Sequence, residues 1–216
     1  MSQRLWAEAL GSFFLFATVV GSGIMAERLA GGNIAVALIG NTLATAAMLY
    51  VLIAMLGPVS GAHFNPAVSL VARLRGDGSW KVLAATIAVQ TLAGIAGVWT
   101  VHAMFDVPLL QVSTHMRTGA GQWLGEFVAT FGLVMTILLT VRHRPGSVPQ
   151  SVALYITAAY WFTSSTSFAN PAITIARSLS DSFAGITPSD APAFIAAQFA
   201  GALAAHGFER TIFKHS

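Results

Sequence analysis

The 216-residue chain is 55% apolar and only 9% charged, with a mean hydropathy of +0.70. A soluble domain carries about 25% charged residues, so the composition excludes one and marks a polytopic membrane protein. The absence of cysteine excludes disulfides, thiolate metal sites and thiol catalysis, and a formal charge of +3 calls for no nucleic-acid partner.

Apolar stretches of about 20 residues mark spanning helices. The first is expected from Leu5 to Met25; the start of the chain has no A-x-A-like cleavage site and reads as a membrane helix, not a signal peptide. Glu27, Arg28 and a Gly31-Gly32 turn follow. From Leu29 to Ala72 no charge appears for 44 residues, too long for one span and too short for two with an ordinary loop. A span from Asn33 to Leu56 fits, then a breaker-rich connection from Gly57 to Ala62 and a short helix from Pro66 to Leu74. Nine helical residues rise about 14 Å, roughly half the hydrocarbon thickness. This is a re-entrant half-helix, tolerated where protein buries it or water lines it.

A third span is expected from Trp80 to Phe105, followed by a polar loop with Asp106, Pro108, His115 and Arg117. The fourth starts near Gln122 and stops at Arg142-His143-Arg144-Pro145. The fifth runs from Pro149 to Thr163. A small polar connection, Ser164 to Ala169, leads to a second half-helix from Pro171 to Leu179. A loop through Asp181, Thr187 and Asp190 precedes the sixth span, Pro192 to Phe208. With the N-terminus in the cytoplasm, Arg4, Arg73, Arg75, Lys81, Arg142, Arg144, Arg210 and Lys214 fall inside, and only Arg28, Arg117 and Arg177 outside. The positive-inside rule therefore puts both termini in the cytoplasm of a multi-pass protein of the inner (plasma) membrane.

Both half-helices begin on Asn-Pro. Asn is a favoured N-cap, Pro belongs at the first helical position, and Pro pushes its predecessor out of the helical region. The two motifs, Asn65-Pro66-Ala67 and Asn170-Pro171-Ala172, lie 105 residues apart. Other features repeat as well. Glu8-x-x-Gly11-Ser12-Phe13 matches Glu126-x-x-Ala129-Thr130-Phe131, and the stretch from Gln90 matches that from Gln198. Each half holds three spans, an odd number, so the repeats (about 1–110 and 118–216) must have opposite topology, with the half-helix N-termini meeting near the midplane. The expected fold is an all-α membrane protein with six transmembrane helices and two re-entrant half-helices, forming one domain over 1–216.

Paired Asn-Pro-Ala half-helices, six spans and duplicated Glu-x-x-small-Ser/Thr-Phe motifs resemble the aquaporin (major intrinsic protein) family across essentially the whole chain. The resemblance implies a channel, with no cofactor, assembled as a homotetramer. Asn65 and Asn170 can each offer an amide to a solute, and each half-helix N-terminus carries roughly half a positive elementary charge. The resemblance further implies that the amides orient water so as to interrupt proton hopping. An isolated motif would be read as a helix cap; the pair reads as pore-lining. The same resemblance places His63 on the cytoplasmic side of the pore wall. The alternative for His63 is an ordinary satisfied polar group.

Glu8 and Glu126 are costly within spans. They serve either as a proton relay or as acceptors for backbone N–H groups of the re-entrant connections. One glutamate per half favours the scaffold reading, with Gln90 and Gln198 in a related role. His102, His115, His143, His206 and His215 show no metal-ligand spacing, so no metal site is expected. Gly11, Gly21, Gly40, Gly94, Gly97, Gly132 and Gly201 are read as sites of close helix approach.

Gapless counting from the two motifs places the family's four constriction positions at Thr45, Ala158, Ser167 and Ile173. Water-selective members resemble Phe, His, a small residue and Arg there, and glycerol-conducting members keep the Arg. Here the Arg is absent, and Thr45 and Ala158 stand where the large rings would be. The implied opening is wide, apolar on the Ile173 wall and without a fixed charge. It suits small neutral solutes: glycerol, urea or undissociated metalloid hydroxides such as arsenous acid. The run from Asn170 to Gly185 resembles the Arg-lacking bacterial branch associated with arsenic resistance. The alternatives are an ordinary water or glycerol pore and, from another class, a proton-coupled transporter. No nucleophile–base constellation for an enzyme is present. Arg177, one turn beyond Ile173, either charges the outer mouth or pairs with Asp181 at i,i+4, and the surface pair is the expectation.

Overall fold

The computed structural model describes residues 2–213; Lys214 and His215, counted above, lie outside them. It is all-helical: α1 Gln3–Leu29, α2 Ile34–Ser60, α3 Pro66–Leu74, α4 Trp80–Met104, α5 Ala120–His143, α6 Val148–Phe162, α7 Pro171–Arg177 and α8 Ala191–Ile212. Five of these (α1, α2, α4, α5 and α8) are long and apolar enough to cross a membrane. The fifth expected span, α6, has 15 helical residues preceded by a 3-10 turn at Pro145–Ser147. Its rise is about 22 Å. Leu43, Leu92, Leu154 and Trp161 are exposed on the outer surface, where lipid takes the place of water.

The half-helices α3 and α7 start at Pro66 and Pro171 as the sequence predicts. Helices α1 and α8 run four residues past their expected ends, to Leu29 and Ile212, and two further boundaries differ for local reasons. Helix α2 runs through Pro58 and ends on Gly61, whose left-handed φ of 87° caps it as its N–H donates to the Gly57 carbonyl at 2.9 Å. A proline this close to the C-terminus withdraws one intrahelical bond, and the glycine cap completes the end. Helix α7 stops at Arg177, two residues early, because Leu179 and Ser180 close tighter turns onto Ala176 and Arg177.

Helix α1 packs against α4 and α2, α5 packs against α8 and α6, and α2 meets α6 across the two halves. Small residues set these approaches. A Cβ on Gly97 would run into the Phe13 carbonyl of α1, and one on Gly201 into the Phe127 carbonyl of α5. Gly11 and Gly94 make room for the rings of Phe64 and Phe16, both fully buried.

Helices α1, α2, α3, α4 and α7 start on side-chain caps, at Ser2, Asn33, Asn65, Ser79 and Asn170. Asn33 Oδ1 accepts from the N–H groups of Ala35 and Val36 at 3.1 and 3.3 Å. Asn33 is exposed, so Asn33→Ala is expected to remove this cap alone, at about 1 kcal/mol. Thermal melting in detergent should show a shift of a few degrees, with solute flux retained.

Candidate functional site

The two connections that lead into the half-helices are built alike, 105 residues apart. Ala62 and Phe64 in the first, and Ser167 and Ala169 in the second, are non-glycine residues in the left-handed region, with φ of 50°, 47°, 52° and 48°. Such backbone costs about 1–3 kcal/mol per residue and persists only where its surroundings fix it. A buried carboxylate fixes it in each half. Glu8 Oε1 accepts from His63 N–H (3.0 Å) and the Ser60 hydroxyl (2.6 Å), and Oε2 from Phe64 N–H (2.8 Å) and Gln90 Nε2 (2.8 Å). Glu126 Oε1 accepts from Phe168 N–H (2.8 Å), and Oε2 from Ala169 N–H (2.8 Å) and Gln198 Nε2 (2.6 Å). Gln90 also donates to Ser69 and Gln198 to Thr174, at 3.0 and 2.9 Å, tying each clamp to the first turn of its half-helix. The four residues thus come together as two matching clamps, and both glutamates are spent on backbone and amide donors.

Each motif asparagine does two jobs. Asn65 Oδ1 caps α3 at Ala67 N–H (2.9 Å), while its Nδ2 donates to the Ala169 carbonyl of the other half (2.7 Å). Asn170 Oδ1 caps α7 at Ala172 and Ile173 N–H, and its Nδ2 donates to the Phe64 carbonyl (2.8 Å). The reciprocal bonds lock the two half-helix starts together. A side-chain amide carries two N–H donors, so one of each pair is committed to this lock. Both asparagines also line the main cavity.

That cavity has a volume of about 610 Å³ and passes between the halves. Arg75, Asp77, Arg142 and Glu209 line one end, Asn65 and Asn170 the middle, and Thr45, Tyr160, Ser167, Ile173 and Arg177 the other. Between the first end and the asparagines the wall is largely apolar, with Val68, Val71, Leu133 and Ile137. His63 lines this side, its Nδ1 within 3.1 Å of Ser69 Oγ.

Thr45, Ser167 and Ile173 are buried and share one stretch of wall. Ala158, expected with them, is a correction: it is exposed on the outside of α6 and does not line the cavity. Tyr160 takes its place, 4% exposed, with its hydroxyl 3.4 Å from Thr45 Oγ1. The two positions differ by about 200° around the helix. Counting back through the non-helical Thr163–Ala169 connection carries no information about helix phase. The signal was present in the sequence: Val148, Val152, Ile156 and Tyr160, spaced by four, form the stripe that faces the cavity. The stretch of wall with Thr45, Ser167 and Ile173 therefore holds one ring, and the expectation of two small residues there is revised.

Arg177 is the second correction. Asp181 accepts instead from Thr114 N–H and Oγ1, at 2.8 and 2.9 Å, and these bonds hold its carboxyl below the usual carboxylate range. Arg177 is 2% exposed, lines the cavity and donates to the Ala184 carbonyl. The opposite end carries features the sequence reading missed. Glu209 lies 2.7 Å from Arg75 and 3.7 Å from Arg142, and Asp77, paired with Arg4, is held below its ordinary range by that guanidinium. These partners are 134, 67 and 73 residues apart in sequence, which local pattern cannot reveal. Among the described residues no group of three metal-ligating side chains converges.

Residues 1–165 match the family described as Major intrinsic protein. The chain is 52% identical over 214 residues to the aquaglyceroporin AqpS of Rhizobium meliloti (strain 1021), covering 99% of this chain and 91% of that one. It is 34% identical over 138 residues to aquaporin NIP1-4 of Oryza sativa subsp. japonica, covering 63% and 49%. Its fold matches the X-ray structure of the aquaglyceroporin from Plasmodium falciparum with a TM-score of 0.70 at 20% identity, over 98% of this chain and 96% of that one. The chain belongs to the major intrinsic protein family, whose members are membrane channels, not enzymes.

Proposed function

We propose that the chain forms a passive pore for small, neutral, polyol-like solutes: glycerol, urea and undissociated metalloid hydroxides such as arsenous acid, with some water. The observation that carries this reading is the outer constriction. Ile173 offers no charge or donor on one wall. Ser167, a small residue with its hydroxyl buried, stands in the same ring of residues. Tyr160 and Thr45 add two further hydroxyls. A neutral solute with several hydroxyl groups can exchange its water for these, while a hydrated ion cannot. The 52% identical relative carries the name aquaglyceroporin, which supports the same solute class. In this reading the selectivity filter is Thr45, Tyr160, Ser167 and Ile173, the midplane barrier is Asn65 and Asn170, and His63 lines the inner half. One domain of two inverted repeats, a homotetramer in the plasma membrane with both termini cytoplasmic, completes the proposal.

The Tyr160 ring favours a second reading, a pore restricted to water and glycerol. Stopped-flow light scattering on proteoliposomes separates the two. Water, glycerol, urea and arsenous acid are compared with and without a pH gradient. Fluxes of glycerol and arsenous acid well above those of empty liposomes, unchanged by the gradient, are the expected outcome. Glycerol without arsenous acid selects the second reading. Flux that requires the gradient selects a proton-coupled transporter.

A further inference from the structure

Two arginines are buried at the Tyr160 end of the cavity with no carboxylate on either guanidinium; the Asp190 carboxylate accepts only from the Arg117 backbone N–H, at 2.8 Å. The Arg177 guanidinium lies over the Phe168 ring, 3.3 Å from its centroid, and Nε donates to the Ala184 carbonyl. Arg117, 8% exposed, lies 5.1 Å from the centroid of the same ring. Its donors go to the carbonyls of Gly185 (2.8 Å), Phe183 (3.3 Å) and Ser165 (3.5 Å). Among the described residues, no acidic group lies within ion-pair distance of either arginine. Glu126 acts on both at longer range, but its oxygens are committed to Phe168, Ala169 and Gln198. Carbonyls and a ring face orient a guanidinium without neutralising it. The outer mouth therefore carries fixed positive charge in a low-dielectric wall, where charge acts far more strongly than in water.

Ile173 and Arg177 are four residues apart on α7, about 40° round the same face, and both line the cavity. The constriction itself is uncharged; the charge sits one turn further out. We infer that Arg177, backed by Arg117, is the cation barrier of this pore, displaced one helical turn outward from the constriction. This inference rests on the channel reading above. The displacement separates two selections. Cations such as hydronium, ammonium and sodium are rejected at the mouth by charge, and neutral solutes are then sorted by size and hydroxyl pattern at Tyr160, Thr45 and Ser167. A charge in the constriction would combine both tests and narrow the opening.

The test uses the full chain in proteoliposomes, with glycerol flux read by light scattering and cation flux by a trapped pH-sensitive dye and by methylammonium uptake. Arg177→Met is expected to conduct glycerol and to raise proton and methylammonium flux at least tenfold over the parent. Arg177→Lys is expected to remain tight. The double variant I173R/R177M, which returns a guanidinium to the constriction, is expected to recover tightness. A glycerol-conducting Arg177→Met protein as tight to cations as its parent overturns the inference and leaves the channel reading intact; a parent that conducts no glycerol overturns the channel reading itself. Arg177→Gln is read alongside, since the buried side chain also packs. If neither neutral variant folds while Arg177→Lys does, the arginine is a structural strut and the barrier assignment falls.

Discussion

Glu126→Ala is expected to yield a protein that does not reach a folded, conducting state. The carboxylate holds the N–H groups of Phe168 and Ala169 and the Gln198 amide in a fully buried position. Alanine leaves three buried donors without acceptors, at about 1–3 kcal/mol each. It also releases the clamp on Ser167 and Ala169, whose left-handed backbone depends on it. Together these rival the about 5–15 kcal/mol that hold a typical domain folded. Glu126→Gln is expected to fare little better, because its amide turns an N–H toward N–H groups where an oxygen stood. The measurements are a thermal melt in detergent, with Tm lowered by more than ten degrees or no transition, and glycerol flux at the level of empty liposomes. A proton relay predicts otherwise: Glu126→Gln would fold with a normal Tm and lose only a pH-dependent component. Glu8→Ala should repeat the loss, since Glu8 serves His63, Phe64 and Gln90 in the same way.

That symmetry explains why so much of the fold was legible in the sequence. A duplicated Asn-Pro fixes two helix starts, and a duplicated buried glutamate needs a duplicated set of donors. The first acts over a few residues and recurs at an offset of 105, and the second recurs in the matching span of each half, Glu8 and Glu126. Tyr160, Arg177 and the Arg75–Glu209–Arg142 cluster were not legible for a common reason. Each depends on helix phase or on partners far apart in sequence. Ala158 was misplaced because residues were counted across a connection that is not helical. Arg177 was assigned to Asp181 because i,i+4 pairing assumes a helix that continues, whereas α7 ends at Arg177 and the chain turns Asp181 toward Thr114. The glutamine clamps were recognised only by analogy between halves; their second bonds, to Ser69 and Thr174, required the packed structure.

Ile173→Arg is expected to reduce glycerol and arsenous acid permeability at least tenfold while reducing water permeability far less. The substitution adds a long side chain at the first turn of α7, in a ring already narrowed by Tyr160. The Thr45 and Tyr160 hydroxyls on the same wall can accept from its donors, so the guanidinium is drawn across the opening. A solute larger than water must displace it and break those bonds. A barrier higher by about 1.4 kcal/mol suffices for a tenfold loss, and one charge-assisted hydrogen bond, worth about 1.5–3 kcal/mol, exceeds that. Repulsion from Arg177 at i,i+4 offsets only about 0.2–0.5 kcal/mol. The same stopped-flow comparison checks it, with the ratio of glycerol to water permeability as the readout. Unchanged glycerol and arsenous acid flux would place the narrowest point elsewhere, at the Asn65–Asn170 lock or at the Arg75–Glu209 end. Tyr160→Ala in the Ile173→Arg background distinguishes the cause. If size is limiting, removing the ring restores glycerol flux; if the added guanidinium acts by charge alone on neutral solutes, it does not.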